Sequence, residues 1–500
     1  MGNSTGNLYQ FWDAIRENKR LIGGYIWDWV DHGLLQKTSS GESYYAFGGD
    51  MGDTKINSGN FCLNGIVDPA RVPKPALIEV KKVYQPIHFE IVDHDLGIVK
   101  ITNLHDFTNL LDLKFSWKLQ EDGKTIRKGE IESINVSPNE SITVKTPINK
   151  PKLKPGAEYF ILIEAMLKKD TNWAMTGHQI ASEQFLLSWK KDVIKKVVKN
   201  TGNLEIKNNS IIGKNVKVQF DSESGQMTAF EYKGTPLIIR GLQPSLWRPS
   251  TDNDRGGSNT PMTLGVWKKA SKKSEKVNFK IEKVDNNHVL ATSVHSFAKG
   301  KAMMKVEHLI FSSGEIKISV KFSGHASLPM LPKLGLQLEV PKNYENLNWF
   351  GRGPHENYWD RKRSADVGLY SAKVDDNYYT YIRPQESSNK TDVRWFSLTN
   401  SNGKGILINA LGDHLSMSAW PYTTWDIENA LHTYDLNPKD FITINIDHKQ
   451  MGVGGDDSWS ENALPHPEYR LSDNEYSYSF VIKPIVQKKQ LTRSYLPKIK

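Results

Sequence analysis

The stretch MKVEHLIFSSGEIKISV, residues 304–320, decides the fold class of most of this chain. Apolar and polar residues alternate on both sides of Ser312-Ser313-Gly314-Glu315, a turn-forming sequence. Because strand side chains point alternately to opposite faces, two such runs around a Gly-containing turn predict a β-hairpin. The same reading continues from about Leu204 to the C-terminus. We therefore predict a large β-sandwich over residues 204–500.

A shorter run of strands precedes this sandwich. Residues Lys114–Leu119 alternate and then break at Glu121-Asp122-Gly123-Lys124, which is a strong hairpin turn. Short alternating strands extend from about Ile87 to Leu187, and roughly 100 residues is the size of an immunoglobulin-like sandwich. We predict such a domain over residues 88–190, followed by a lysine-rich linker over residues 191–203.

The first residues follow a different pattern. A helical period over Leu8–Arg16 precedes an apolar run, Leu21–Trp27, which predicts a buried parallel strand. A long loop rich in Gly, Ser, Tyr and Asp leads to a second predicted helix, Ala76–Tyr84. Helix, buried strand, long loop and helix are typical of the last units of a βα barrel, where chemistry sits at the C-terminal strand ends. We predict that residues 1–87 are an incomplete C-terminal part of a (β/α)8 barrel.

Composition and charge exclude several classes of function. The chain has 500 residues, of which 38% are apolar and 24% charged, and these values are ordinary for a globular protein. No apolar run approaches the ~18 residues of a membrane helix, so no membrane partner is predicted. The formal charge is +9, but the lysine clusters are not interleaved with aromatics and no nucleic-acid-binding motif occurs. Nucleic acid is therefore not an expected partner.

The N-terminus and the single cysteine carry little information about function. The sequence MGNSTG lacks the features of a signal peptide and of a myristoylation site, and the compartment stays open. Cys62 alone excludes an internal disulfide framework. It lies between Phe61 and Leu63, where burial as a small hydrophobe is favoured over a nucleophilic role.

Aromatic residues point to carbohydrate. The chain has 14 Trp, 19 Tyr and 18 Phe, and many of them lie in polar loops beside Asp, Asn and Gly. Sugar rings present flat C–H faces to aromatics and hydroxyls to carboxylates and amides. The alternative is that these residues cap the cores of the sandwiches. For any single aromatic residue this alternative is favoured.

Three segments near the N-terminus carry the strongest local signals. GGYIWDWVD, residues 23–31, places Trp and Asp at the end of the predicted strand, and either sugar binding or core packing would explain it. FGGDMGD, residues 47–53, and NFCLNGIV, residues 60–67, place acids and amides beside glycines. Such oxygens suit a hard cation, Mg²⁺ or Na⁺, although turn capping is the commoner role.

Together these segments resemble the glycoside hydrolase family 2 β-galactosidases. MGNS at residues 1–4 matches the stretch that follows the nucleophilic glutamate in that family. The resemblance covers essentially the whole chain and continues through RPSTDND (248–254), GRGPHENY (351–358) and GVGGDDSW (452–459). Because several of these motifs are seven or more residues long, chance does not explain the match.

The resemblance implies roles for matched residues. Trp27 is expected to stack on the galactose ring, and Trp459 to line the aglycone side of the pocket, with Asp252 and Asp254 on a loop that approaches the substrate. The Phe61 carbonyl and the Asn64 side chain are expected sodium ligands, and Asn57 lies near an expected secondary magnesium site. His355 and Glu356 are expected to have a structural role, as in that family. The alternative is that they act as an acid and base pair.

The resemblance also implies what this chain lacks. Retaining glycosidases use two carboxyls about 5–5.5 Å apart, and in this family both precede the position of Met1. We therefore predict no catalytic residue here and no activity from the chain alone. Asp28, Asp31, Asp50 and Asp53 are read as caps, metal ligands or scaffold contacts.

Three functions remain open after this reading. The leading one is a β-galactosidase polypeptide, truncated or one part of a split enzyme, that acts on β-galactosides. The second is a noncatalytic subunit that completes an active site with an N-terminal half. The third is a stand-alone carbohydrate-binding protein. Galactose or a β-galactoside, the N-terminal half and further copies of the chain are the expected partners.

Overall fold

The strands of this protein lie in two structural units. A computed structural model describes residues 1–53, 57–132, 134–192 and 200–486. The larger unit contains residues 1–53, 57–78, 200–365 and 370–486, and the smaller one contains residues 79–132, 134–192 and 366–369. Most of the predicted linker, residues 193–199, and the C-terminal residues 487–500 lie outside the described part.

The smaller unit is a sandwich of two antiparallel sheets. The three-stranded sheet has the order Ile87–Asp93, Ile98–Asn103, Ser141–Lys145. The four-stranded sheet has the order Lys124–Ile131, Leu113–Glu121, Tyr159–Leu167, Gln179–Leu186. Alternate residues such as Phe89 and Phe115 point inward, and their rings meet at 6.5 Å between centroids. The period-two pattern therefore predicted the strands of this sandwich and the turn between Glu121 and Lys124 correctly.

The larger unit is built on two much larger sheets. The first has ten strands, in the order Glu205–Lys207, Ser210–Ile212, Val216–Phe220, Met227–Tyr232, Arg240–Ser245, Lys333–Pro341, Phe441–Gln450, Leu415–Trp420, Lys390–Val393, with Thr235–Ile238 paired to Met227–Tyr232. The second has nine strands, in the order Lys276–Lys283, His288–Phe297, Ala302–Phe311, Ile316–Gly324, Glu475–Ile485, Gly405–Leu411, Trp395–Thr399, Asn346–Gly353, Asp366–Lys373, and residues 370–373 of the last strand belong to this unit.

A single hydrophobic core joins these two sheets. It contains Leu336 and Ile444 from the ten-stranded sheet, and Val306, Ile318 and Phe480 from the nine-stranded sheet. Each such side chain, fully buried, contributes about 1.5–3 kcal/mol to folding. The predicted hairpin is present as Ala302–Phe311 paired with Ile316–Gly324. The prediction of a mainly β chain with sandwich sheets is therefore confirmed.

Helices are few and short. The part of the chain that the structure describes contains seven α-helices: Leu8–Glu17, Pro75–Val83, Asp252–Arg255, Thr260–Thr263, Gly265–Lys272, Val374–Asn377 and Thr424–Asn429. The first two confirm the helices predicted from the sequence. Within the described ranges no helix has the length and apolar character that crossing a bilayer requires.

The predicted buried strand at Leu21–Trp27 is wrong for this structure. These residues form no strand, and Ile22, Tyr25 and Trp27 are 102%, 104% and 83% exposed. A parallel strand needs neighbours to pair with its backbone and to cover its apolar faces. Among the described residues no strand lies beside this segment, and the nearest parallel contact is a single isolated bridge, Val30 with Val67.

The loop that follows is more ordered than the sequence indicated. It contains a short antiparallel hairpin, Leu34–Lys37 with Ser43–Ala46, and a 3-10 turn, Gly59–Cys62. The hairpin strands, LLQK and SYYA, have four residues each, and neither alternates strictly between apolar and polar residues.

A buried ion pair lies inside the ten-stranded sheet. The Lys333 ammonium is 3.3 Å from the Asp447 carboxylate, and both side chains are 1% exposed. Gly335 faces Asp447 across the two strands, and a Cβ on it would lie 1.8 Å from Asp447 Oδ1. Burial raises the pKa of Asp447 to about 7 although Lys333 opposes this, and burial raises the pKa of Glu386 to about 8.

These two carboxyls make stability depend on pH. An unfolded carboxyl releases its proton near pH 4, whereas the folded state holds it to about pH 7 at Asp447, so the folded state binds more protons between these values. We expect this contribution to be fully present below about pH 4 and lost as pH rises through about 7. The free energy of unfolding, measured with urea at several pH values, should fall less steeply with rising pH in Asp447→Asn than in the wild type. Exposed Asp413→Asn is the control, and parallel curves for the wild type and Asp447→Asn would contradict the expectation.

Candidate functional site

The 3-10 turn Gly59–Cys62 contains Phe61, and the other predicted ion-binding residues, Asn57 and Asn64, lie on either side of it. The Gly48 amide donates to the Gly59 carbonyl at 3.0 Å, and a Cβ on Gly48 would lie 2.7 Å from that oxygen. Glycine at position 48 is therefore needed for the two loops to approach. The Leu63 amide donates to the Asn60 carbonyl at 2.9 Å and closes the turn. Phe61 projects from the turn and is 39% exposed.

The residue after Trp27 is hydrogen-bonded to the segment that follows this turn. The amide of Asp28, the next residue, donates to the Asn64 carbonyl at 3.0 Å, and the Ile66 amide donates to the Asp28 carbonyl at 3.1 Å. These backbone bonds fix Asp28 to the segment that follows Phe61. The Trp27 indole itself is 83% exposed.

Trp459 meets the same turn from the sandwich. Its ring lies 6.5 Å from the Phe61 ring in an edge-to-face arrangement, and it is 71% exposed. Asp457 accepts from the amides of Trp459 and Ser460 at 3.0 and 2.9 Å, which holds the loop. The structure therefore brings together Phe61 and Trp459, with Asn64 and the Trp27 segment adjoining them.

Two oxygens at this turn suit a hard cation. Asn64 Oδ1 is buried and has no hydrogen-bond partner, and within the described residues no group donates to the Phe61 carbonyl. A buried unpaired amide oxygen is costly, and a cation would satisfy it. The described residues contain no group of three or more His, Cys, Asp and Glu that could hold a metal, so any site here depends on such neutral oxygens.

Asn57 is placed differently. Its amide donates to the Asp53 carbonyl at 2.8 Å and its Oδ1 accepts from the Gly59 amide at 2.9 Å. Both ends of the side chain are thus engaged within the loop, and its role near a magnesium site stays a prediction.

Asp252 is buried rather than open to a ligand. It is 3% exposed, and its Oδ1 accepts from Asn60 Nδ2 at 2.7 Å. Its Oδ2 accepts from Gln385 Nε2 at 3.1 Å. Asn60 Oδ1 in turn accepts from the Arg383 guanidinium at 2.7 Å. In this structure Asp252 therefore supports the turn that carries Phe61.

Asp254 is fully engaged within its own loop. Its carboxylate forms two hydrogen bonds with the Arg248 guanidinium, at 3.2 and 3.1 Å, and accepts from the Thr251 amide at 3.0 Å. Arg248 also donates to the carbonyls of Met451 and Gly452 at 2.6 and 2.9 Å. Asp254 is 4% exposed and joins two loops, which is a structural role.

The first seven residues pack into the same network. Asn3 donates to the Tyr358 hydroxyl at 2.8 Å and to the Glu386 carbonyl at 2.7 Å. A Cβ on Gly2 would lie 2.4 Å from Asp252 Oδ2, and one on Gly6 would lie 1.7 Å from Asp360 Oδ2. Glycine at both positions is therefore required for this close approach.

The other carboxylates singled out from the sequence also have partners. Asp31 pairs with Lys74 at 2.5 Å, and Asp50 with His432 at 2.8 Å. Asp28 lies 2.9 Å from His32, and Asp53 accepts from the amides of Gly49 and Met51. Glu356 pairs with Arg361 at 2.6 Å and accepts from Tyr381, and burial lowers the pKa of neighbouring His355 to about 3.

Sequence reasoning missed Asn60, Arg383 and Gln385. Gln385 accepts from the amides of Asn3 and Asp252 at 2.9 and 3.1 Å, so it links the N-terminal segment to the sandwich. Arg383 is separated from Asn60 by 323 positions, and no local pattern relates them. The only sequence signal is that Asn60 lies next to Phe61 within a segment that resembles the family.

The Asn60 contacts lead to a stability prediction. Asn60→Ala leaves Asp252 Oδ1 and Arg383 without their partner, and an unsatisfied buried group costs about 1–3 kcal/mol. We expect a loss of that size in the free energy of unfolding, measured with urea. Asn286→Ala, in an exposed turn, is the control and should change it by less than about 0.5 kcal/mol. Equal free energies of unfolding in both variants would show that the buried contacts of Asn60 make no net contribution to stability.

The chain is similar to known proteins along nearly its whole length. Three family models match in order: glycosyl hydrolases family 2, TIM barrel domain, at residues 1–89; β-galactosidase, domain 4, at residues 99–188; and β-galactosidase small chain at residues 212–482. The first match confirms the predicted barrel origin of the N-terminal part.

Curated relatives agree with the family models. A β-galactosidase of Priestia megaterium is 35% identical over 97% of this chain and 47% of its own length. β-Galactosidases of Halalkalibacterium halodurans and Vibrio cholerae are 32% and 33% identical, again over 97% of this chain. The chain spans about half the length of the curated relatives it matches. With the small-chain model alone matching more than half of its residues, this chain belongs to the β-galactosidase family of glycoside hydrolases.

Proposed function

We propose that this chain forms the sugar-contacting wall of a β-galactosidase that hydrolyses terminal β-D-galactosides such as lactose. The observation that carries the proposal is the position of Phe61 and Asn64. The Asn64 carbonyl accepts from the amide of Asp28, the residue after Trp27, and the Phe61 ring contacts the Trp459 ring. The relatives are β-galactosidases about twice as long, which supports a second contribution to the active site from residues outside this chain.

Each exposed residue then has a chemical task. Trp27 presents an indole face on which the C–H face of galactose stacks, and Trp459 does the same for the aglycone. The Phe61 carbonyl and Asn64 Oδ1 would hold a sodium ion, which supplies a fixed positive charge for a sugar hydroxyl. The buried contacts of Asn60 with Asp252 and Arg383 keep that turn in place.

We further propose that the catalytic carboxyls lie outside this chain. A retaining mechanism needs one carboxyl as nucleophile and one as acid and base, about 5–5.5 Å apart. The carboxylates nearest the turn are engaged: Asp28 with His32, Asp31 with Lys74, and Asp252 with Asn60. The carboxyls would then belong either to a longer polypeptide that includes this chain or to a separate subunit of a split enzyme. In either case further copies of the chain would complete an oligomer.

A stand-alone carbohydrate-binding protein is the second candidate. It is favoured by the exposure of Trp27 and Trp459, 83% and 71%, because open indole faces bind sugars without catalysis. Galactose binding by the isolated chain, without any partner, would favour this candidate.

The purified chain should not hydrolyse lactose or a chromogenic galactoside. We expect activity only when the missing half is supplied, because the two carboxyls are then present. The DNA upstream of the Met1 codon identifies that half, either as an in-frame extension encoding Glu-Tyr-x-His-Ala or as a neighbouring gene for co-expression. Robust turnover by the chain alone would contradict the proposal.

Trp27 should affect substrate binding in the completed enzyme. We expect Trp27→Ala to raise KM on the order of tenfold, because an aromatic contact of about 0.5–1.5 kcal/mol and its buried area are lost. Steady-state kinetics on a chromogenic galactoside measure this effect. Trp173→Ala, at an exposed tryptophan of the smaller unit, is the matched control. Unchanged KM in Trp27→Ala would remove Trp27 from the substrate site.

A further inference from the structure

A cavity of about 400 Å³ lies in the larger unit beside the short hairpin that precedes the 3-10 turn. Its lining includes none of Trp27, Phe61, Asn64 and Trp459. Its size falls within the range of about 300–1,000 Å³ that small-molecule sites occupy. The hairpin Leu34–Lys37 with Ser43–Ala46 forms one wall, and the segment Tyr379–Ile382 forms the other.

The hairpin wall is held by an aromatic cluster. The Tyr44 ring meets the rings of His432 and Tyr434 edge-on, at 5.2 and 5.0 Å between centroids. His432 stacks on Phe47 at 4.7 Å and bonds to the Asp50 carboxylate at 2.8 Å. The short hairpin is therefore fixed to the sandwich, so the cavity has a defined shape.

The opposite wall is equally fixed. The Tyr379 ring packs edge-on against Tyr381 at 4.7 Å. Tyr381 donates its hydroxyl to the buried Glu356, which also pairs with Arg361. Burial, with the carboxylates of Glu356, Asp68 and Asp31, raises the pKa of Tyr379, so its phenol keeps its proton and can donate.

Charges on the cavity lining nearly cancel. Asp31 and Lys74 form a buried pair at 2.5 Å, and Asp31 also accepts from the Gly65 amide at 2.8 Å. Asp68 is the remaining carboxylate, and its Oδ1 caps a turn by accepting from the Val72 amide at 2.8 Å. One net negative charge disfavours phosphate and carboxylate ligands.

Several polar atoms of the lining are open to a ligand. Within the described residues, no hydrogen bond is made by Asp68 Oδ2 or by the hydroxyls of Tyr44, Tyr45 and Tyr379. Phenols both donate and accept, and a carboxylate accepts, so this set matches a ligand with several hydroxyls. The tyrosine rings add flat apolar faces.

We propose that this cavity is a second saccharide-binding site, which takes a neutral pyranose ring between the Tyr44–Tyr45 wall and Tyr379. Asp68 Oδ2 accepts from a sugar hydroxyl, the tyrosine hydroxyls complete the polar contacts, and the C–H face of the ring packs on an aromatic side chain. The site is independent of Trp27, and it would bind sugar without turning it over.

Lactose binding to the full chain tests this proposal by ligand-observed NMR titration. The titration is made in the Trp27→Ala background, which removes the galactose-stacking contact of the proposed function. We expect lactose still to bind there, and adding Tyr379→Phe with Asp68→Asn to weaken binding about tenfold, because two hydrogen bonds are lost or weakened. Asparagine at position 68 keeps the oxygen that caps the turn, and phenylalanine at position 379 keeps the ring.

Tyr232→Phe and Asp221→Asn in the same background are the matched controls, since Asp221 also caps a turn outside the cavity. They should leave the affinity unchanged, and each single cavity variant should give an intermediate loss at an unaltered thermal midpoint. Loss of all lactose binding on Trp27→Ala, or equal affinity in the double cavity variant, would overturn the proposal. Binding of choline but not of lactose would overturn the saccharide assignment. None of these outcomes alters whether the completed enzyme hydrolyses galactosides.

Discussion

The buried guanidinium of Arg248 is the contact on which the candidate site depends. It is 1% exposed and bonds to both oxygens of Asp254 and to two carbonyls of the Met451–Gly452 segment. A buried charge is tolerated only when its donors are satisfied in this way, and arginine's planar fork suits such a set. The pair fixes the turn from Thr251, and that turn presents Asp252 to Asn60.

Buried residues therefore hold the exposed side chains Phe61 and Trp459 in position. Asn60 receives contacts from Asp252 and Arg383, and Gln385 ties Asp252 to Asn3. The exposed side chains Phe61 and Trp459 make few contacts of their own and depend on this network for position. The network also explains why residues expected to touch substrate can lie behind the surface, as Asp252 and Asp254 do.

The sequence predicted the sandwiches well because their signal is local. Alternation over 304–320 and the turn at Asp122-Gly123 each depend on neighbouring residues alone, and both hairpins are present. The prediction of a strand at Leu21–Trp27 was wrong because a parallel strand forms only beside neighbouring strands. The local sequence pattern does not show whether such neighbours are present. For the same reason the sequence located Phe61 and Asn64 through resemblance, but not Gln385, whose partners are distant in the chain.

The exposed segment Leu21–Trp27 has a consequence for handling the protein. It is rich in β-forming residues, and it contains no proline and no charge. Such a segment in the open is a template for pairing with another copy of itself, and so for aggregation. Any surface that buried this segment would therefore also limit its self-association. The yield of dispersed protein would then report whether the segment is covered.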